Sequence, residues 1–182
     1  MKNIPATKDA LVLRADFSDE AAWREVCAAI EKPVGDFRAY VEFVSDPEYA
    51  GLTSAQLVAA PSDESDRAFA FIVDGTTLSH PEHPVLVVDL LDQPGRTFRV
   101  IPSEMWSVEN NLSIANMGFA EFAEAARADG IYRGFPGTVT RHAATFTTHA
   151  KPVGKTQKGP KTLLGRILIS VYKLFRGKRG KG

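Results

Sequence analysis

The sequence predicts an α/β protein: a single three-layer domain with a mixed β-sheet, followed by a basic linker and a C-terminal amphipathic helix. Three observations lead there. Strand-like apolar runs alternate with stretches at helical spacing through the first 135 residues. The run Pro84–Leu91 is almost unbroken in apolar side chains, as in a strand covered on both faces. Residues 151–182 hold ten of the 22 Lys and Arg and none of the 22 Asp and Glu. A net charge of zero therefore hides an acidic body of net −10 and a tail of +10, and such asymmetry marks an interaction tail.

Leu11–Asp16 reads as the first strand. Ser18 is the expected N-cap of the next helix, with Asp19 and Glu20 in its first turn, where carboxylates suit the helix dipole. Trp23, Val26, Cys27 and Ile30 fall at i, i+3, i+4 and i+7 and form one apolar stripe. Tyr40–Val44 alternates as a second strand, and Ser54–Ala59 is a short helix. Pro61–Arg67 is a polar loop. Phe69–Val73 is a third strand, stopped by Asp74-Gly75. After the Pro84–Leu91 strand, Asp92-Gln93-Pro94-Gly95 offers Pro and Gly for the two central positions of a type II turn. Thr97–Ile101 then returns as an antiparallel partner. Ser103 to Met117 is a mixed segment. Phe119, Phe122, Ala123 and Ala126 follow at helical spacing, and Ile131–Phe135 closes the domain as a short strand or loop. The domain covers 8–135. Residues 136–160, rich in Gly, Pro, Thr and Lys without periodicity, read as a linker, and 161–182 as the tail.

On a helical wheel over Leu163–Arg176, one half carries Leu163, Leu164, Ile167, Leu168, Val171, Tyr172, Leu174 and Phe175. Arg166, Ser170, Lys173 and Arg176 occupy the other, with Ile169 as the one apolar intruder, and Lys178, Arg179 and Lys181 follow. A large moment with a cationic face is the pattern of a helix lying in a membrane interface. At roughly 21 Å it is too short to span a ~30 Å hydrocarbon core. Anionic lipid attracts each nearby Lys or Arg by about 1 kcal/mol, so an anionic membrane surface is the expected partner. Docking of an amphipathic helix on the body is the alternative. Nucleic acid ranks lower: the tail's aromatics sit in the apolar half and do not interleave with the cations as a stacking platform would.

One cysteine, Cys27, excludes an intrachain disulfide and any multi-cysteine metal site, and fits a reducing compartment. Its place on the apolar stripe predicts a buried, inert thiol. The N-terminus lacks a signal-like apolar region, and no run of 18 apolar residues exists. The expectation is a cytoplasmic protein, peripheral on the inner membrane.

Several constellations invite chemistry. Gly154-Lys155-Thr156 is no phosphate loop, because His149 stands where the motif needs its first Gly. His80-Pro81-Glu82-His83-Pro84 is held extended by its prolines, so it reads as a polar connection, and no metal ligand is assigned. Asp16, Asp74 and Asp89 fall at or near strand C-termini, where ligands bind in open α/β sheets. They supply the alternative reading, a metal-dependent enzyme, against caps and turn residues as their plain role. The densest polar cluster lies within Ser103–Met117. With Arg99 and Arg133 it predicts a protein-binding surface of Arg99, Glu104, Trp106, Glu109, Asn110, Asn111, Asn116 and Arg133. Its plain alternative is a kinked, capped helix with Trp106, Leu112 and Ile114 in the core.

Asp16-Phe17-Ser18-Asp19 with Trp23, the run Pro84–Leu90, the stretch Thr97–Asn116 and the closing Asp129–Phe135 together resemble a bacterial domain-of-unknown-function family, familiar from high-GC Gram-positive genomes. The likeness covers about residues 8–135, with Trp106–Asn116 its most specific part. It implies a single bacterial domain. It carries no activity, cofactor or catalytic residue. The sequence thus predicts a non-enzymatic protein-binding module without cofactor, held at the inner membrane surface by its tail. An immunity-type protein that neutralises a basic toxin domain is one form that charge and size allow.

Overall fold

The computed structural model describes residues 3–61 and 67–135. The linker and tail expected at 136–182 lie outside them. Six strands form one mixed sheet: β1 (Ala10–Arg14), β2 (Val41–Val44), β3 (Phe69–Val73), β4 (Val85–Asp89), β5 (Thr97–Val100) and β6 (Ile131–Tyr132), in the order β2-β1-β3-β4-β5-β6. β1 pairs in parallel with β2 and β3, β4 is antiparallel to β3 and β5, and β6 is parallel to β5. Five strands therefore end at one edge of the sheet and β4 alone runs the other way.

The alternation of each strand feeds two cores. Val12, Phe71, Val73, Val87, Phe98 and Val100 point to one face, where α1 (Glu20–Glu31), α4 (Met105–Ser113) and α5 (Phe119–Ala125) cover them with Trp23, Val26, Ile30, Met105, Val108 and Phe122. Leu11, Leu13, Ala70, Ile72 and Val88 point to the other. Ile4, Tyr49, Leu52 and Leu57 meet them there, from the N-terminal arm, a 3-10 turn at Pro47–Tyr49 and α2 (Ser54–Ala59). This is the three-layer arrangement. All five residues of β3 are buried, and each fully buried large side chain contributes about 1.5–3 kcal/mol. At the β5–β6 end, Phe98, Phe122, Tyr132 and Phe135 join rings at centroid distances of 5.3–6.4 Å, which closes the core against α5.

Local chemistry fixes the boundaries. Asp19, not Ser18, is the N-cap of α1: its carboxylate accepts from Ala22 N at 2.9 Å, while Ser18 N donates to Asp16 at 2.7 Å. Pro94 and Gly95 occupy the centre of the β4–β5 turn, with Arg96 N donating to Gln93 O at 2.9 Å and Gly95 at φ 91°, as a type II turn requires. A short helix, α3 (Gly75–Ser79), follows β3 where the sequence offered no stripe; a capping box between Asp74 and Thr77 starts it.

Candidate recognition surface

At the carboxyl edge of the sheet the chain leaves β1 for α1 on one face, while α2 on the other face leads into β3, so the β1–β3 pair is a switch point in the strand order. Such a switch point is where open sheets bind ligands. Asp16 and Asp74 meet there. Asp16 Oδ2 lies 2.8 Å from where a Cβ on Gly75 would stand, closer than a real Cβ contact, so the absence of a side chain at residue 75 makes room for the carboxylate. Both carboxylates have partners. Hydrogen bonds from Ser18 hold Asp16 below the usual carboxylate range. Burial raises Asp74, but its bonds from Arg99 and Thr77 outweigh that and lower it. Arg99 binds Asp74 with both terminal nitrogens, at 2.6 and 3.0 Å, and donates to Pro84 O at 3.0 Å. That fork ties β5 to the start of α3 and β4.

Asp89 is elsewhere. Its register partner is Phe69, the first residue of β3, so it stands at the opposite edge from Asp16 and Asp74. It is 2% exposed, and its carboxylate accepts from Leu91 N, Asp92 N and Gln93 N at 2.9–3.1 Å. The three carboxylates form no common site. Among the described residues, no group of three His, Cys, Asp or Glu is placed to hold a metal. In the His80–Pro84 connection, His83 Nδ1 lies 2.9 Å from Thr77 O. Glu82 receives Arg133 at 2.5 and 2.8 Å.

Arg14 was not legible as a special residue. It is 4% exposed, bonds Asp16 O and Glu20 at 2.9 and 2.6 Å, and lies over the rings of Phe17 and Trp23 at 4.4 and 5.0 Å. The signal was an Arg closing an apolar strand with two aromatics just beyond it.

The predicted protein-binding residues divide into structural and surface groups. Arg99 and Arg133 are engaged in ion pairs, the latter also with Asp129 at 2.8 Å. Glu104 and Glu109 are buried; Glu109 accepts from Tyr40 N at 3.0 Å and Ser113 Oγ at 2.8 Å, which bolts α4 to the entry of β2. Asn111 donates to Ser107 O at 2.7 Å and receives Asn116 Nδ2 at 2.7 Å, and both belong to the end of α4. There Asn116 N donates to Asn111 O and Ala115 N to Leu112 O, with Ala115 in the left-handed region at φ 52°. This is a Schellman motif with Ala where Gly is usual. The core of this segment is Met105 and Val108; Trp106, Leu112 and Ile114, expected there, are only partly buried.

Trp106 and Asn110 are half-buried and lie against the segment that carries the exposed Arg38. Trp106 stacks on Phe37 at 4.4 Å and 20°, and Arg38 covers the Tyr40 ring at 4.8 Å. Asn110 donates to Trp106 O and Arg38 O. The indole N–H of Trp106 and the side-chain oxygen of Asn110 have no partner among the described residues. Both atoms are buried, so they lie beneath the aromatic and basic patch and not on it. A cleft of about 220 Å³ opens below the end of α4, lined by Phe69, Leu91, Leu112, Asn116, Met117 and Phe119. It is smaller than the usual cofactor pocket and suits a single apolar side chain.

A family model for a domain of unknown function, DUF6924, matches residues 9–135. The chain belongs to the DUF6924 family. No curated protein matches it. The DUF6924 match spans every strand described above and both the carboxyl edge and the Trp106 face.

Proposed function

We propose that this DUF6924 chain is a protein-recognition module held at an anionic membrane surface, with the Trp106 face as its contact. The observation that carries the reading is that face. Trp, Tyr and Arg are the residues that dominate binding energy at protein interfaces, and Phe37, Arg38, Tyr40 and Trp106 stand together here. The acidic body favours a basic partner and speeds its arrival. The tail's charge and its apolar half support attachment to anionic lipid, and the inner leaflet of a bacterial membrane is the surface proposed. A metal site built on Asp16, Asp74 and Asp89 together is not supported, since Asp89 stands at the opposite edge of the sheet from the other two.

Site-specific photo-cross-linking in the native cell tests the contact. Benzoylphenylalanine in place of exposed Arg38 should capture one protein, and Trp106→Ala should abolish the capture. The same probe at Ala55, exposed on α2 across the sheet, should not capture it. Equal capture from both positions, or capture indifferent to Trp106, would overturn the reading.

A further inference from the structure

β2 is an edge strand with an open side. Ala10 N donates to Tyr40 O, and Ala10 stands in parallel register with Val41. The even-numbered residues of this stretch therefore turn their backbone groups toward β1, and Val41 and Phe43 turn theirs outward. Among the described residues no strand pairs with that side. Natural edges are usually blunted by charged residues, Pro, a bulge or short length. Val41-Glu42-Phe43-Val44 is short but has no Pro or bulge, and its one charge is taken up by neighbouring backbone N–H groups. Its side chains are anchored: Phe43 meets Trp23 edge-on at 5.9 Å, and Glu42 accepts from Lys8 N and Asp9 N at 2.6 and 3.0 Å. The edge is thus a fixed, half-exposed template. It is continuous with the Trp106 face, because residues 37–40 run from the Phe37 stack through the Glu109 bond on Tyr40 N into the strand.

We propose that the outer edge of β2 receives an extended, basic segment of a partner protein as an added strand. The inference rests on the Trp106 face being a recognition surface and names how the partner binds there. Charge selects the occupant. From Asp36 to Glu48 the only cation is Arg38, against Asp36, Glu42, Asp46 and Glu48. A residue directly opposite Glu42 gains from a positive charge, and those opposite Val41 and Phe43 gain from β-branched or aromatic side chains. The segment that fits alternates apolar residues with Lys or Arg. In a second copy of this chain, the register that pairs Val41 with Phe43 sets two Glu42 carboxylates opposite each other, and every register lacks the cation that Glu42 favours.

The test uses the full chain and a short, capped, labelled peptide of alternating Val and Lys, read by fluorescence anisotropy. Three comparisons decide it. The same peptide N-methylated at alternate residues keeps its charge and loses its donors, and should not bind. A peptide with Glu for Lys should not bind. Val41→Pro removes one outward donor at the first residue of an edge strand, where Pro is tolerated, and should weaken binding about three- to tenfold with the melting temperature little changed. Equal binding of the methylated peptide would overturn strand addition. So would self-association of the chain that Val41→Pro abolishes, because the occupant would then be a second copy. Cross-linking at Arg38 that needs Trp106 but persists in Val41→Pro, with peptide binding indifferent to methylation, would remove this inference and leave the Trp106 contact standing.

Discussion

Replacing Asp89 decides whether the most deeply buried strand-end carboxylate is a structural lock. Its two oxygens accept from three successive backbone N–H groups, Leu91 and Asp92 on Oδ1 and Gln93 on Oδ2. A hydrogen bond to a charged group contributes about 1.5–3 kcal/mol. Leu91 is 60% exposed, so water can replace part of what the turn loses, and the lower end of the range applies. Asp89→Ala should therefore cost about 3–4 kcal/mol. Asp89→Asn keeps an acceptor for two of the donors and turns an N–H₂ toward the third, so it should cost about half as much. Urea unfolding followed by circular dichroism reads both. With a slope of about 1–3 kcal/mol/M, the Ala midpoint falls by roughly 1–4 M at an unchanged slope. An Ala variant within about 1 kcal/mol of the parent, or an Asn variant as damaged as Ala, would refute the lock.

Three further outcomes follow from the same geometry. Asp74 titrates below its ordinary value of 3.8, so its pairing with Arg99 stabilises the fold above that pH and is lost as pH falls through the lowered pKa; Asp74→Asn should flatten the acid limb of a stability–pH curve below about pH 4. Ala115→Gly relieves a left-handed backbone at the end of α4 and should stabilise by about 0.5–1 kcal/mol, measured by thermal unfolding. Burial pushes the Cys27 thiol up to about 11 from 9.0, so iodoacetamide at neutral pH should alkylate the native chain about a hundredfold more slowly than a free cysteine peptide; equal rates would contradict the packing of α1.

Much of the fold was legible because strand periodicity is local. The stretch Phe69–Val73, the Pro94-Gly95 turn and the helix Ser54–Ala59 stand where the sequence puts them. α3 escaped notice because five residues led by Gly and two Thr make no stripe; only the Asp74–Thr77 capping box forms it. The N-cap moved from Ser18 to Asp19 because Asp16 took the Ser18 N–H instead. Cys27 lies on the stripe as expected but is only partly buried, at the margin of the helix face.

The recognition residues were harder to read. Arg99 meets Asp74 25 residues away and Arg133 meets Glu82 51 residues away, and no local pattern carries such pairs. Glu109 looked like surface, yet a helix starting at Met105 puts residues 108 and 109 on the inner face, and the Tyr40 N–H compensates its burial. Trp106 was legible as the centre of an unusual segment. Its companions Phe37, Arg38 and Tyr40 were not, because they come from 69 and 72 residues away, as in the Tyr40–Glu109 and Arg38–Asn110 bonds.

The central claim joins a recognition face to an anionic surface, and co-sedimentation with vesicles tests it most directly. The full chain is compared with one carrying Lys173→Glu, Arg176→Glu, Lys178→Glu and Arg179→Glu, on anionic and neutral vesicles across a salt series. The parent should sediment with anionic vesicles only, and salt should release it in part. Removing four cations at about 1 kcal/mol each should weaken binding by at least about a hundredfold. Equal sedimentation of the two chains, or no binding by either, would contradict the account.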